Sequence, residues 1–312
     1  MNKIRLSIIT PAFNRGYILH VLYESLLRQS SRQFEWIVVD DGSADNTKEL
    51  VEGWQQSQSH SGGFEIVYIR QDNGGKHRAL NRGIPQAKYD YIYIVDSDDY
   101  LVPDAVDKIC QWIGTVDGKP EFAGVSGLWG HSADRPAGQY PAGKPYVDAT
   151  NLQRKRFKLL GDKSEIYRRD LLLSYPFPEF ENEKFLGEAA VWDRIAGDGY
   201  KLRWFGEVIC IGRYLDDGLT RNNGTRTKLD NFSGYTFVEK QNAKLRRFPD
   251  NYLAVGRYIG YARMRSLSYS EIRATLEISR GMLLGGLLLG LARTGIKKLN
   301  GSIKGRKRGL ES

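Results

Sequence analysis

Asp96-Ser97-Asp98-Asp99 places three carboxylates within four residues. Crowded carboxylates cost free energy unless a cation neutralises them, and a hard divalent ion, Mn2+ or Mg2+, is the one oxygen ligands suit. In an extended segment Asp96 and Asp98 point the same way, so an Asp-x-Asp pair can serve one nucleotide. The competing reading is a solvated turn that caps the next helix. Asp40-Asp41-Gly42-Ser43 poses the same choice. One Asp caps a turn, and the other is expected to accept hydrogen bonds from a base N–H or a ribose hydroxyl. Gly74-Gly75-Lys76-His77-Arg78 exposes backbone N–H groups at its glycines and brings two cations toward a diphosphate. Taken alone it reads as a turn, and it lacks the GxxxxGK[ST] spacing of a Walker loop.

These clusters share one placement, which the intervening elements dictate. Short apolar runs at 6–10, 36–39, 64–69 and 91–95 predict four strands, and apolar residues at helical spacing predict helices over 18–27, 47–56, 79–87 and 102–113. Strands alternating with helices imply an α/β fold with a mostly parallel sheet covered on both faces. Ligands of such sheets bind beyond the carboxyl ends of the strands. All four polar clusters fall there: Pro11-Ala12-Phe13-Asn14-Arg15, Asp40-Asp41, Asp72-Asn73-Gly74-Gly75, and Asp96 to Asp99. A binding cleft along one sheet edge is the expected result.

Composition narrows the chemistry. Of 312 residues, 41% are hydrophobic and 27% charged, as in a folded domain with a solvated surface. The four histidines (20, 60, 77 and 131) are scattered, and Cys110 and Cys210 lie far apart, which argues against a His/Cys zinc site and for reduced thiols. The N-terminal stretch runs straight into a strand pattern without an apolar leader core, so a cytoplasmic protein is expected.

TPAFNR (10–15), VVDDGSADNT (38–47), DNGGKHRALNRGI (72–84) and VDSDDYL (95–101) stand in an order and spacing that resembles the family 2 inverting glycosyltransferases of GT-A fold. The resemblance is specific over residues 4–115 and looser to 215. It implies a GT-A type, Rossmann-like domain over 1–225, followed by a helical extension over 226–312. It further implies that Asp40 and Asp41 hold the uracil and ribose of a UDP-sugar, and that Pro11, Ala12 and Asn14 line the base pocket. By the same resemblance, Gly75 and Arg78 border the diphosphate, Asp96 meets the ribose and Asp98 ligates Mn2+ or Mg2+. The product would be a glycan or a lipid-linked sugar of a cell-surface polysaccharide.

Inversion needs a general base for the acceptor hydroxyl. The family usually carries it as the Asp of a Glu-Asp pair opening a helix, whereas this chain reads Gly187-Glu188-Ala189-Ala190. Glu188 is expected to act as the base, with Glu183 and a helix-start carboxylate without catalytic duty as the alternatives. A non-catalytic nucleotide-sugar-binding paralogue accommodates the missing Asp. A sugar nucleotidyltransferase would want a GxGTR-type loop, and residues 10–16 lack one. Tyr214 to Thr220 resembles a loop closing over the diphosphate, in which Asp217 reads first as part of a turn and otherwise as a contact to metal or acceptor, and Arg221 as reaching a phosphate; acceptor specificity is expected between 122 and 221.

The net charge of +9 is concentrated near the end of the sequence, where residues 293–312 hold seven Lys or Arg against Glu311 alone. An apolar block, 282–292, precedes them. Too short to span a bilayer, it fits an interfacial helix on an anionic membrane. A core helix followed by a solvated basic end is the plainer alternative. No recognition motif points to nucleic acid.

Overall fold

A computed structural model describes residues 4–213 and 224–292. The chain divides at Asn223/Gly224 into two compact units. In the first, β1 (Leu6–Ala12), β2 (Phe34–Asp40), β3 (Glu65–Arg70) and β4 (Tyr91–Ile94) alternate with α1 (Leu19–Leu27), α2 (Thr47–Ser61) and α3 (Lys76–Gly83). There follow β5 (Tyr100–Leu101), α4 (Ala105–Gly114), β6 (Phe122–Ser132), β7 (Arg135–Pro136), β8 (Val147–Ala149), β9 (Lys163–Arg168), α5 (Arg169–Ser174), α6 (Ala189–Gly197) and β10 (Lys201–Ile211).

All ten strands join one sheet with the main order β3-β2-β1-β4-β9-β6-β10-β5. β1 to β4 run parallel, as do β6 and β10, while β9 runs against both its neighbours. The mostly parallel sheet expected from the sequence thus carries a reversed strand, β9, at its middle, and the short β5, β7 and β8 pair antiparallel as well. The carboxyl ends of β1 to β4 share an edge, because Ala12 pairs with Asp40 and Asp40 with Arg70.

The strands read as apolar runs because both faces are covered: every residue of β2 is buried. α1 lays Leu19, Leu22 and Leu26 on the sheet as its fully buried stripe. Tyr23 stacks on Trp54 at 4.4 Å, closing the layer between α1 and α2. α3 starts at Lys76, ahead of the expected residue 79, because Gly75 at φ +94° turns the chain directly into it. A single 3-10 turn containing Pro85 ends it.

The second unit is helical: α7 (Thr225–Asp230), α8 (Phe232–Leu245), α9 (Asp250–Met264) and α10 (Tyr269–Leu276), then α11 (Arg280–Ala292). Its core gathers Val255, Tyr258, Ile259 and Ala262 of α9 with Ile272 and Leu276 of α10. The buried Glu239 accepts both 2.8 Å bonds of Arg257, the bidentate pairing that makes a buried carboxylate tolerable. Among the described residues no single helix is long and apolar enough to cross a membrane. Cys110 and Cys210 form no disulfide.

Candidate active site

The first two strand tips are stapled to each other. Asn14, at φ +53°, donates its backbone N–H to Ser43 Oγ at 2.8 Å and accepts the N–H of Ala44 on Oδ1 at 2.8 Å. The N–H of Asp41 reaches the carbonyl of Ala12 at 2.8 Å. Pro11 and Ala12 close β1, with Ala12 buried. Phe13 beside them is exposed.

Both acids of the second tip are committed to protein donors. Asp40, wholly buried, accepts the Ser43 N–H at 2.7 Å and the Tyr68 hydroxyl at 2.5 Å. Burial and the Asp40 carboxylate push the Tyr68 phenol well above its ordinary range. Asp41 accepts Gln71 Nε2 (2.7 Å) and Gly74 N–H (2.8 Å) on Oδ1, and Gly75 N–H (2.7 Å) and Asn73 Nδ2 (3.1 Å) on Oδ2. The carboxylate expected to meet a nucleotide therefore organises the 71–75 turn from beneath.

That turn delivers Lys76. Gly75 runs so close to the chain that an added Cβ would lie 1.9 Å from the Lys184 carbonyl. From the first residue of α3, Lys76 Nζ meets Asp96 Oδ1 at 2.5 Å and Glu188 Oε1 at 3.1 Å. Burial opposes its charge, but the carboxylates of Asp96 and Glu188 outweigh it and hold the ammonium above the usual lysine range. Three sequence segments thus converge on one cation: the glycine turn, the end of β4 and the start of α6. Sequence reading had named both carboxylates and had put Lys76 near a diphosphate. Their meeting across Lys76 carries no signal in the sequence.

Arg78, expected at the donor, is engaged elsewhere. Its guanidinium donates to Gly74 O (2.9 Å), Glu183 O (2.5 Å), Phe180 O (2.5 Å) and Glu179 Oε2 (3.2 Å). Four protein acceptors leave this planar fork little to offer a phosphate, so Arg78 pins the 179–183 loop. Asn81 one turn further on grips the same loop through Phe177 N, Phe177 O and Glu179 Oε1 at 2.7–2.9 Å.

The acidic tetrad divides by environment. Asp98 has its proton affinity raised by burial and by Asp96. Asp99 is raised well above the ordinary carboxylate range by burial, then by Asp96, although Trp129 Nε1 donates to it at 2.8 Å. Asp99 buttresses β6 and β10, through Trp129 and the Cys210 thiol at 3.7 Å. Among the described residues no group of three His, Cys, Asp or Glu is placed to enclose a metal ion. The donor set still fits one: a cation relieves the crowding of the half-buried Asp98 carboxylate against Asp96, and Mg2+ or Mn2+ commonly takes one or two carboxylates and completes its shell with water and substrate phosphates.

Glu188 holds the N-cap position of α6, its carbonyl accepting the Trp192 N–H at 3.0 Å. Its side chain is about a third exposed, at 36%, so it is open to an acceptor. Ala189 lies on the exposed side of the first turn. Glu183, the alternative base, is buried in the clamped loop. Sequence reading missed Glu165 on β9. Burial pushes its proton affinity up, Arg154 3.8 Å away opposes this, and the charge of Glu188 adds to it. Asp217 and Arg221 lie outside the described residues.

Residues 7–168 match the profile of Glycosyl transferase family 2. This chain belongs to that family. Among similar proteins, the glycosyltransferase GlyG of Streptococcus pneumoniae serotype 4 is 34% identical over 113 residues, 36% of this chain and 36% of that protein. The GalNAc(5)-diNAcBac-PP-undecaprenol beta-1,3-glucosyltransferase of Campylobacter jejuni is 28% identical over 196 residues, 60% of this chain and 58% of that one. The matches to these two curated relatives thus span from about a third to under two thirds of their length. In fold the chain is similar to S. aureus TarS 1–349 in complex with UDP-GlcNAc, with a TM-score of 0.59 and 18% identity over 91% of this chain and 89% of that one. It is also similar to the mannosyltransferase PcManGT of Pyrobaculum calidifontis with GDP-Man and Mn2+, with a TM-score of 0.55 and 16% identity over 93% of this chain and 88% of that one. The GT-A fold expected from the motifs is borne out.

Proposed function

We propose that this family 2 member transfers a sugar, with inversion, from a UDP- or dTDP-sugar to a hydroxyl of a glycan or lipid-linked acceptor in polysaccharide synthesis. The observation that carries the reading is the bridge of Lys76 between Asp96, at the strand tip where a nucleotide is expected, and Glu188, at the start of α6. Donor side and acceptor side meet across one ammonium. The names of relatives agree in kind, since one acts on an undecaprenol-linked glycan and one binds UDP-GlcNAc.

Glu188 takes the proton of the attacking hydroxyl as the new bond forms at the anomeric carbon, while the bond to the diphosphate breaks on the opposite face. Lys76 fixes the position of that carboxylate, and orientation of this kind is a large part of the rate advantage available to a two-substrate reaction. Asp98, with Asp96 beside it, would hold Mn2+ or Mg2+, which supplies charge neutralisation for the departing diphosphate. Pro11, Ala12 and Asn14, stapled to the second tip, form the rigid wall on which the base rests. With their own carboxylates taken up, Asp40 and Asp41 act by shaping that wall.

Ala189 favours one competing reading, a paralogue that binds nucleotide-sugar without turnover. Nucleoside diphosphate release, assayed with Mn2+, a panel of UDP- and dTDP-sugars and a range of acceptors, separates the two. Glu188→Gln should lower turnover by about a hundredfold or more, the usual worth of a general base, with UDP binding by calorimetry retained. Release from no donor would favour the paralogue, and full turnover in the Gln variant would place the base elsewhere.

A further inference from the structure

α11 leaves a stripe of leucines uncovered while seating glycines against its neighbour. Its glycines face the protein: a Cβ on Gly286 would come within 2.6 Å of Val255 Cγ1, one on Gly285 within 2.5 Å of the Tyr252 ring, and Gly290 lies against Gly256. Met282, Leu283 and Leu287 pack on the same core, whereas Leu284, Leu288 and Leu291 face outward at 59%, 58% and 62% exposure. At about 100° per residue these three fall within an arc of about 60°, one stripe along the helix. In water the hydrophobic effect favours the opposite arrangement, leucines buried and small residues out. Small residues at the helix contact and large apolar ones outside is the pattern of helices whose surrounding solvent is lipid.

Two further observations identify the occupant of this face. Phe248, 71% exposed, lies edge-on to Tyr252 at 5.6 Å, the ring that covers Gly285, so the apolar surface continues beyond the helix. The sequence that follows Ala292, 293–312, holds seven Lys or Arg against one Glu. That is the charge complement of an anionic headgroup layer. With 13 residues, Arg280–Ala292 is about 20 Å long, against about 30 Å of bilayer hydrocarbon. These described residues are long enough to lie in the interface and too short to span the bilayer as a single helix.

We propose that the Leu284–Leu288–Leu291 face of α11, flanked by Phe248, docks on the surface of an anionic lipid bilayer, with the basic segment supplying the electrostatic attraction. Docking does not depend on the transfer chemistry: a protein without turnover would still dock. The test is co-sedimentation of the full chain with vesicles of phosphatidylcholine alone or mixed with phosphatidylglycerol. The wild type should partition to the mixed vesicles, more weakly as salt rises. The triple variant Leu284→Ser, Leu288→Ser, Leu291→Ser should bind about tenfold or more weakly, because interfacial affinity scales with buried apolar area. These side chains are exposed, so its circular dichroism and unfolding midpoint should match the wild type. Replacing Lys304, Arg306, Lys307 and Arg308 with Gln should remove the preference for the anionic lipid. Three results would overturn the proposal: no wild-type binding to mixed vesicles, binding unchanged in the leucine variant, or a concentration-dependent dimer by light scattering that the leucine variant abolishes. The last would assign the face to a second copy of this chain.

Discussion

Asp41→Asn separates a ligand-binding carboxylate from a structural one. In the folded chain Asp41 is 4% exposed, and its two oxygens accept four hydrogen bonds, two of them from the backbone N–H groups of Gly74 and Gly75. An amide is isosteric but turns one oxygen into a donor. Whichever way it sits, it faces one backbone N–H and one side-chain amide. Gln71 or Asn73 can rotate its own amide to accept; the backbone N–H cannot. One buried donor is therefore orphaned, at about 1–3 kcal/mol, and the charge assistance of the remaining bonds is lost, each charged bond being worth about 1 kcal/mol more than a neutral one. With two bonds still accepted by the remaining oxygen, the sum is about 3–5 kcal/mol, a sizeable part of the ~5–15 kcal/mol that holds a typical domain folded. Urea unfolding should show it as a lower midpoint at unchanged slope. A variant with wild-type stability that has lost only its affinity for UDP would refute the argument and return Asp41 to the nucleotide.

Three other perturbations probe the same neighbourhood. Gly75→Ala sets a Cβ 1.9 Å from the Lys184 carbonyl at φ +94°, so it should cost about 2–4 kcal/mol in a thermal or urea melt and lower turnover by displacing Lys76. Lys76→Gln keeps a donor but removes the charge between Asp96 and Glu188; kcat/KM should fall about 10- to 100-fold with the fold intact by circular dichroism, and unchanged turnover would deny Lys76 a role. Glu165 is an acid whose folded proton affinity is raised by burial, so the folded state binds its proton more tightly than the unfolded one. Its stabilising share is present below the ordinary glutamate range and is lost as pH rises through the folded value. Glu165→Gln removes that dependence, and its stability relative to wild type should climb from pH 4 to pH 8 in parallel urea titrations; a difference flat with pH would show that Glu165 is not perturbed.

The parallel strands were legible because each is a short apolar run stopped by Asp, Asn or Gly, and those stops mark the functional edge of the sheet. The reversal of β9 was not, since Lys163–Arg168 alternates like any half-buried strand and direction leaves no trace in residue types. Asp96, Asp98 and Glu188 could be nominated because acids at strand and helix ends are visible in one dimension. What each side chain bonds to was not visible. Asp41 looked available because the sequence shows a carboxylate and conceals the N–H groups that saturate it. Arg78 looked like a phosphate ligand because its carbonyl partners lie up to 105 positions away and belong to the backbone, which has no sequence signature.

The grip of Arg78 and Asn81 on residues 177–183 makes α3 and the loop leading into α6 a single heritable part. The first helps shape the donor side and the second carries Glu188, so exchanging either alone with a relative would leave stranded carbonyls and a mispositioned carboxylate. Chimeras intended to alter acceptor choice should therefore move residues 74–81 and 177–188 together, and drift in one segment is expected to constrain drift in the other.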